Sequence, residues 1–237
     1  MYKYFKSCVD IIGAFLGVVI FTPLFLFLII CIDIEGANTK RKLKKLNKWT
    51  DENSQQEQVG FKTRSYFGGA ILGQERIGKD EKRFYLYKFR SMTHSCEKFD
   101  LENQTISQDD KRVTFIGKFI RRFKIDELLQ LVNVLKGEMS LVGPRPLLPT
   151  YEEKYEDWMK EKFKVRPGMT GLAQVNGGTY LSLAERSYFD VYYVRKLGLF
   201  LDIKILLKTI PIIIFGEKKY KKDVSEQTIK EFIDNNK

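Results

Sequence analysis

The spacing of apolar and polar positions divides the chain before any single residue is considered. No charged side chain interrupts residues 11–32, and at ~1.5 Å per helical residue that run covers the roughly 30 Å of a bilayer's hydrocarbon core. The pattern predicts a membrane helix. Pro23 falls near its middle, after Thr22, where proline removes an intrahelical hydrogen bond and bends the helix. Lys3 and Lys6 precede the run, and Lys40, Arg41, Lys42, Lys44 and Lys45 follow it. Positive charge marks the cytoplasmic side, so a basic flank at each end suits a helix that enters and leaves through one leaflet. A straight span with uneven flanks is the competing expectation. A secretory leader fits poorly, because no small-residue cleavage site follows. Either membrane orientation puts the C-terminal bulk in the cytoplasm.

Residues 36–66 are polar and basic, with Leu43, Leu46 and Trp49 recurring every third position. They read either as a short interfacial helix or as a solvated insert. Beyond residue 67 the pattern tightens. Residues 70–73 and 84–89 read as short strands around the turn-rich Gly78-Lys79-Asp80-Glu81, a hairpin. Residues 95–111 read as a polar loop. A helix is expected next, with Ile116, Phe119, Ile120 and Phe123 on one face, continuing through Leu128, Leu131, Val132 and Leu135 until Gly137. Residues 182–194 read as an amphipathic helix. Residues 197–215 are apolar but carry Asp202, Lys204 and Lys208; three charges make a second span costly, and a helix lying in the interface or packed on the protein is expected. The tail from Glu217 is charged and expected to fray. The divisions are a membrane anchor at 1–35, a basic polar insert at 36–66, a cytoplasmic catalytic domain at 67–216 and a charged tail at 217–237. The fold class is α+β and mainly helical: an N-terminal membrane helix, a small β-hairpin and amphipathic interfacial helices around a compact domain.

Composition narrows the chemistry. Forty-one basic residues against 30 acidic ones leave a net charge of +11, which favours an anionic partner such as phosphates, nucleic acid or an anionic membrane face. Cys8, Cys31 and Cys96 lack metal-ligand spacing and read as free thiols in a reducing compartment. His94 is the only histidine, so a Ser-His-Asp triad would have to rest on that one residue and a histidine zinc site lacks further histidine ligands, which leaves both almost excluded. Acid, base and nucleophile must come from other residue types. Asp126 and Glu127 are adjacent carboxylates, and Lys88, Arg90, Arg121, Arg145 and Arg166 supply cations. Cleaving a nucleotide diphosphate asks for such a set: cations to offset phosphoryl charge, a nucleophile in line with the scissile bond, and usually magnesium. Each feature also has a plainer use. An Asp-Glu pair near a helix start complements the helix dipole, Lys88 and Arg90 can form a solvated strand face, and Arg145 between two prolines or Arg166 in a Pro-Gly turn can simply hold shape.

Several motifs in order carry more weight than any one of them. Lys88-Phe-Arg-Ser-Met is followed by Arg121-Arg122-Phe-Lys-Ile-Asp126-Glu127, then Asn133, then Ser140-Leu-Val-Gly-Pro144-Arg145-Pro146. Next come Arg166-Pro167-Gly168, Gln174-Val-Asn-Gly and Asp190-Val-Tyr-Tyr-Val. Together these resemble the bacterial sugar transferase family, the monotopic phosphoglycosyl transferases that start glycoconjugate assembly. The resemblance implies transfer of a sugar 1-phosphate from a UDP-sugar to polyprenyl (undecaprenyl) phosphate at the bacterial inner membrane, the first membrane step of capsule, exopolysaccharide, O-antigen or glycoprotein glycan assembly. By the same resemblance Asp126 attacks phosphorus and expels UMP, and Glu127 serves as base or metal neighbour. Both carboxylates hold Mg2+, with Mn2+ as a substitute. Lys88, Arg90, Arg121, Arg145, Arg166 and Gln174 bind substrate, and Thr22-Pro23 breaks a re-entrant helix. Membrane lipids are the further partner; oligomerisation is left open, and nucleic acid lacks any supporting motif.

Three departures stand out. Lys124 replaces the Ser or Thr that opens a Ser-x-x-Glu capping box in most relatives. Gly178-Thr179 replaces an Arg-Asn pair, which leaves sugar preference unassigned. The 36–66 insert is longer than usual. Without the multi-span N-terminal extension of larger members, the chain resembles the minimal form. The alternative function is a membrane scaffold or regulator of the same pathway with impaired turnover.

Overall fold

A backbone removed from water must satisfy its own donors and acceptors, and a helix does so within one segment. In the computed structural model, which describes residues 2–45, 63–66, 69–92 and 113–234, the apolar run accordingly forms part of a single helix, α1 (Tyr2–Lys45). It continues past residue 35 into the basic segment. Helical structure passes through Thr22 and Pro23, and the Thr22 hydroxyl donates to the Val18 carbonyl at 2.7 Å. Leu46, Trp49, His94, Cys96 and the 95–111 stretch lie outside the described residues.

Contacts group the chain into two units. One comprises Val18–Glu75 and Tyr85–Gln130. Here Phe25, Leu28 and Ile32, three and four residues apart on one face of α1, are buried with Ala70, Ile71, Phe89, Ile120 and Leu129. The Phe25 and Phe89 rings meet edge-on, 5.6 Å between centroids. The expected hairpin is present as β2 (Ile71–Ile77) and β3 (Arg83–Phe89). A strand the sequence reading omitted, β1 (Thr63–Tyr66), pairs antiparallel with β2 and makes a three-stranded sheet in the order β1-β2-β3.

The expected long helix from Ile116 to Leu135 is corrected. α2 (Phe115–Arg122) stops, Lys124 adopts the left-handed conformation at φ 53°, and Ile125–Glu127 form a single 3-10 turn before α3 (Gln130–Leu135). A continuous helix would hold every residue near φ −63°, so the left-handed lysine ends α2 and re-aims the chain. α2 begins under two caps. Thr114 Oγ1 accepts from the Gly117 amide at 2.9 Å, and the Glu35 carboxylate of α1 accepts from the Phe115 amide at 2.7 Å. Both satisfy amides that the first helical turn leaves open.

The other unit comprises Met1–Gly17, Arg76–Phe84 and Leu131–Lys237. β4 (Ser140–Val142) pairs parallel with β5 (Gly168–Thr170). Gly143 and Gly168 let the two backbones touch, since a Cβ on Gly168 would overlap the Gly143 amide. The crossover between them consists of 3-10 turns at Pro149–Lys154 and Asp157–Lys164, whose Tyr155, Met159 and Phe163 bury against Ile77 and Leu147. α4 (Leu183–Arg195) opens on a Ser182–Glu185 capping box. α5 (Leu199–Phe215) buries Ile205 and Ile212 with Val142, Val175 and Tyr193. Its opposite face leaves Phe200, Leu207, Ile210 and Ile214 exposed.

The tail corrects a second expectation. Rather than fraying, it forms α6 (Glu226–Asp234), where Phe232 packs 4.8 Å from the Tyr188 ring and the Arg195 guanidinium sits 4.3 Å above Phe232. Ile229 and Phe232, three apart among charges, are the signal for this helix.

Candidate active site

The break at Lys124 is what presents the two carboxylates. A 3-10 turn is tighter than an α-turn, and here it is closed by the Glu127 amide on the Lys124 carbonyl and the Leu128 amide on the Ile125 carbonyl. Asp126 and Glu127 are half-buried on that turn. Burial of the Asp126 carboxyl, followed by repulsion from Glu127, pushes it out of the ordinary carboxylate range to about 6, while Lys88 and Arg121 pull against that rise. The sequence-predicted Lys88 and Arg121 therefore act on the dyad. Lys88 projects from β3, where Gln74 Oε1 of β2 accepts from its ammonium at 3.1 Å. Arg121 projects from the last turn of α2, with Nη1 3.7 Å from Met92 Sδ.

Arg90 has a different setting. Its guanidinium packs over Gly69, whose Cβ would lie 3.1 Å from Nη1, and it faces the Asp33 charge of α1. Desolvation lowers its pKa, and Asp33 opposes that shift.

Three further predicted residues belong to the other unit. Arg145 lies between prolines in the loop after β4, and its backbone amide donates to Asp190. Asp190 is fully buried on α4 and accepts from Lys162 Nζ at 2.6 Å. Arg166 reaches the first turns of α1: its Nη2 donates to Ser7 Oγ at 2.6 Å and to Asp10 at 3.3 Å. Gln174 is buried, donating to the Met169 carbonyl at 3.0 Å.

Sequence reading assigned no role to Asp10, though the structure makes it a junction. Only 2% exposed, it accepts from the Leu141 amide at 3.0 Å as well as from Arg166. Four residues earlier, Lys6 donates to Asp202 of α5 at 2.6 Å, and Asp202 also accepts from the Tyr2 and Tyr193 hydroxyls. A carboxylate inside an apolar stretch must be paired, and that was the available signal for Asp202.

Mg2+ takes one or two protein carboxylates and completes its shell with water and substrate phosphate oxygens. Asp126 and Glu127 suit that donor set, since their mutual repulsion is what a dication relieves. Among the described residues, no cluster of three or more acidic, histidine or cysteine side chains offers an all-protein cage.

Comparison with known proteins agrees with the motif order. The model of the family described as bacterial sugar transferase matches residues 58–216. A sugar transferase of Haemophilus influenzae is 35% identical over 231 residues, covering 92% of this chain and 42% of its own length. The undecaprenyl-phosphate galactose phosphotransferase of Salmonella typhimurium is 42% identical over 166 residues, covering 65% of this chain and 35% of its own. The undecaprenyl-phosphate glucose phosphotransferase of Komagataeibacter xylinus is 42% identical over 165 residues, with 65% and 31% covered. The chain thus spans less than half the length of these relatives.

Proposed function

The chain belongs to the bacterial sugar transferase family, and from that premise we propose that it transfers a sugar 1-phosphate from a UDP-sugar to undecaprenyl phosphate on the cytoplasmic face of the bacterial inner membrane. The names of two relatives specify that carrier and a sugar phosphate transfer. The observation that carries the reading here is the setting of Asp126, whose carboxyl is pushed up to about 6 by burial while Lys88 and Arg121 both pull against that rise.

In the first half-reaction, an Asp126 oxygen attacks the phosphorus bonded to the sugar. The bond from that phosphorus to the bridging oxygen breaks, and UMP leaves with the bonding pair. Lys88 and Arg121 offset charge on the phosphoryl oxygens throughout. In the second, a phosphate oxygen of undecaprenyl phosphate attacks the same phosphorus, the acyl phosphate bond breaks, and Asp126 returns as a carboxylate. Two easier displacements replace one difficult encounter between two anions. Mg2+ held by Asp126 and Glu127 would neutralise diphosphate charge.

The same reading gives the anchor its topology. Tyr2, Lys6 and Asp10 precede the apolar run, yet they bond to Asp202, Arg166 and the Leu141 amide, all of which follow it. A straight span would separate those groups by a bilayer, so these bonds support a run that enters and leaves through one leaflet. α5, apolar outside and charged at its margin, lies in the interface.

The test is a covalent one. Intact mass of the full chain after incubation with a panel of UDP-sugars and Mg2+ should show one sugar-phosphate added, with UMP released, and Asp126→Asn should show none. An adduct of unchanged yield in Asp126→Asn would remove it as nucleophile.

A further inference from the structure

α5 carries two lysines where its exposed apolar side meets its buried side. At 100° per residue, Phe200, Ile203, Leu207, Ile210 and Ile214 form one exposed stripe, and Lys204 and Lys208 lie along its edge, a turn apart. Beside them a cavity of about 210 Å³ opens between α4, α5 and the segment after α5. Its floor is apolar, from Leu172, Phe189 and Ile205, and its mouth carries Lys204, Lys208 and Lys222.

Two features distinguish this cavity from ordinary surface. The described lining holds three lysines and no carboxylate, and burial together with repulsion from Lys222 and Lys204 lowers the pKa of Lys208. Lys222 is also held in place, since its backbone amide donates to the Asn176 carbonyl at 2.9 Å. It lies beyond the 58–216 stretch that the family model matches, so this corner is built in part by the tail.

We propose that this cavity binds the phosphate headgroup of an anionic phospholipid, with Lys204, Lys208 and Lys222 on the phosphate and the start of an acyl chain over Leu172, Phe189 and Ile205. Size supports a partial occupant. Ligand cavities that enclose a whole small molecule run to roughly 300–1,000 Å³, so this one seats the headgroup end while the chains follow the apolar stripe of α5. Charge supports an anion, since each lysine at a membrane surface strengthens binding to anionic lipid about fivefold. The inference uses the interfacial placement of α5 proposed above and is independent of the Asp126 chemistry.

The experiment reconstitutes the full chain in nanodiscs of equal phosphatidylcholine and phosphatidylglycerol and counts retained lipids by native mass spectrometry. Wild type should retain phosphatidylglycerol preferentially. Lys204→Gln should lower that preference about fivefold, and the Lys204→Gln/Lys208→Gln/Lys222→Gln variant should abolish it. The corresponding triple Arg variant should keep it, which separates lost charge from lost fold. Flotation with phosphatidylcholine vesicles should be equal for all variants; wild type that fails to float would remove the membrane placement itself. An unchanged preference in the triple Gln variant, with flotation intact, would overturn the headgroup site. So would loss of bound phosphatidylglycerol to inorganic phosphate beyond that caused by chloride at equal ionic strength, which would assign the lysines to free phosphate.

Discussion

A carboxylate attacks phosphorus only when ionised, so under the proposed mechanism the charges around Asp126 would set the pH range of sugar-phosphate transfer. Turnover should rise as pH climbs through about 6. Lys88→Gln removes a cation that favours the carboxylate, so the acid limb should move up by roughly one pH unit, read as initial rates of UMP release against pH. Stability runs the other way. Between the ordinary 3.8 and about 6 the folded protein binds a proton at Asp126 that the unfolded chain releases, so stability falls as pH rises through that window. Asp126→Asn should therefore be inactive yet more stable at pH 7, by ~1–3 kcal/mol in denaturant unfolding. That Glu127, Lys88 and Arg121 act on Asp126 was legible in the sequence because motif order and residue chemistry pointed to the same groups. The surroundings of Arg90 and Arg166 were not: an arginine looks alike in sequence whether it faces phosphate or, as here, Asp33 and Asp10. Gly178 belongs with them. It sits at φ 53° and a Cβ would overlap the Glu217 carboxylate, which accepts from the Thr179 amide. The arginine expected there by resemblance would meet tail chemistry in this chain.

At the scale of elements, local pattern predicted the hairpin, α4 and α5, where periodicity and capping residues agree. It failed at Lys124 because the apolar spacing continues on both sides of the break, and nothing in lysine signals a left-handed backbone. That conformation costs a non-glycine residue roughly 1–2 kcal/mol, so Lys124→Gly should recover a fraction of it as a higher thermal midpoint. The capping of α2 by Glu35 was equally hidden, since the two lie far apart in sequence. Glu35→Ala should cost ~1 kcal/mol in chemical unfolding, with Glu35→Gln losing less. α6 had only Ile229 and Phe232 to announce it among charges. Truncating Phe232 to Ala removes the contact with Tyr188 and the Arg195 stack, and should cost ~2–4 kcal/mol, measurable as faster proteolysis after Arg195.

For the whole molecule, the proposed one-leaflet anchor rests on the polar groups that precede the apolar run. Lys6 and Asp202 are both nearly buried, at 11% and 8% side-chain exposure, and 2.6 Å apart. Breaking a buried pair from one side leaves a charge without its partner and typically costs about 3–5 kcal/mol, so the start of α1 is held to the residues that follow the run by more than packing. Under the proposed topology, a terminus bound in this way shares their side of the membrane. Tyr4, 83% exposed beside this network, is the reporter position. In a variant lacking Cys8, Cys31 and Cys96, Tyr4→Cys should react with a membrane-impermeant maleimide in inside-out vesicles and remain unlabelled in intact spheroplasts. Labelling confined to spheroplasts would mean a spanning helix and would exclude the Lys6–Asp202 pair from the membrane-inserted protein. Asp202→Ala adds a control. If the pair holds the terminus, this variant should digest faster around residues 2–10 in inside-out vesicles while the sidedness of labelling at position 4 stays unchanged, because the apolar run and its two basic flanks are intact.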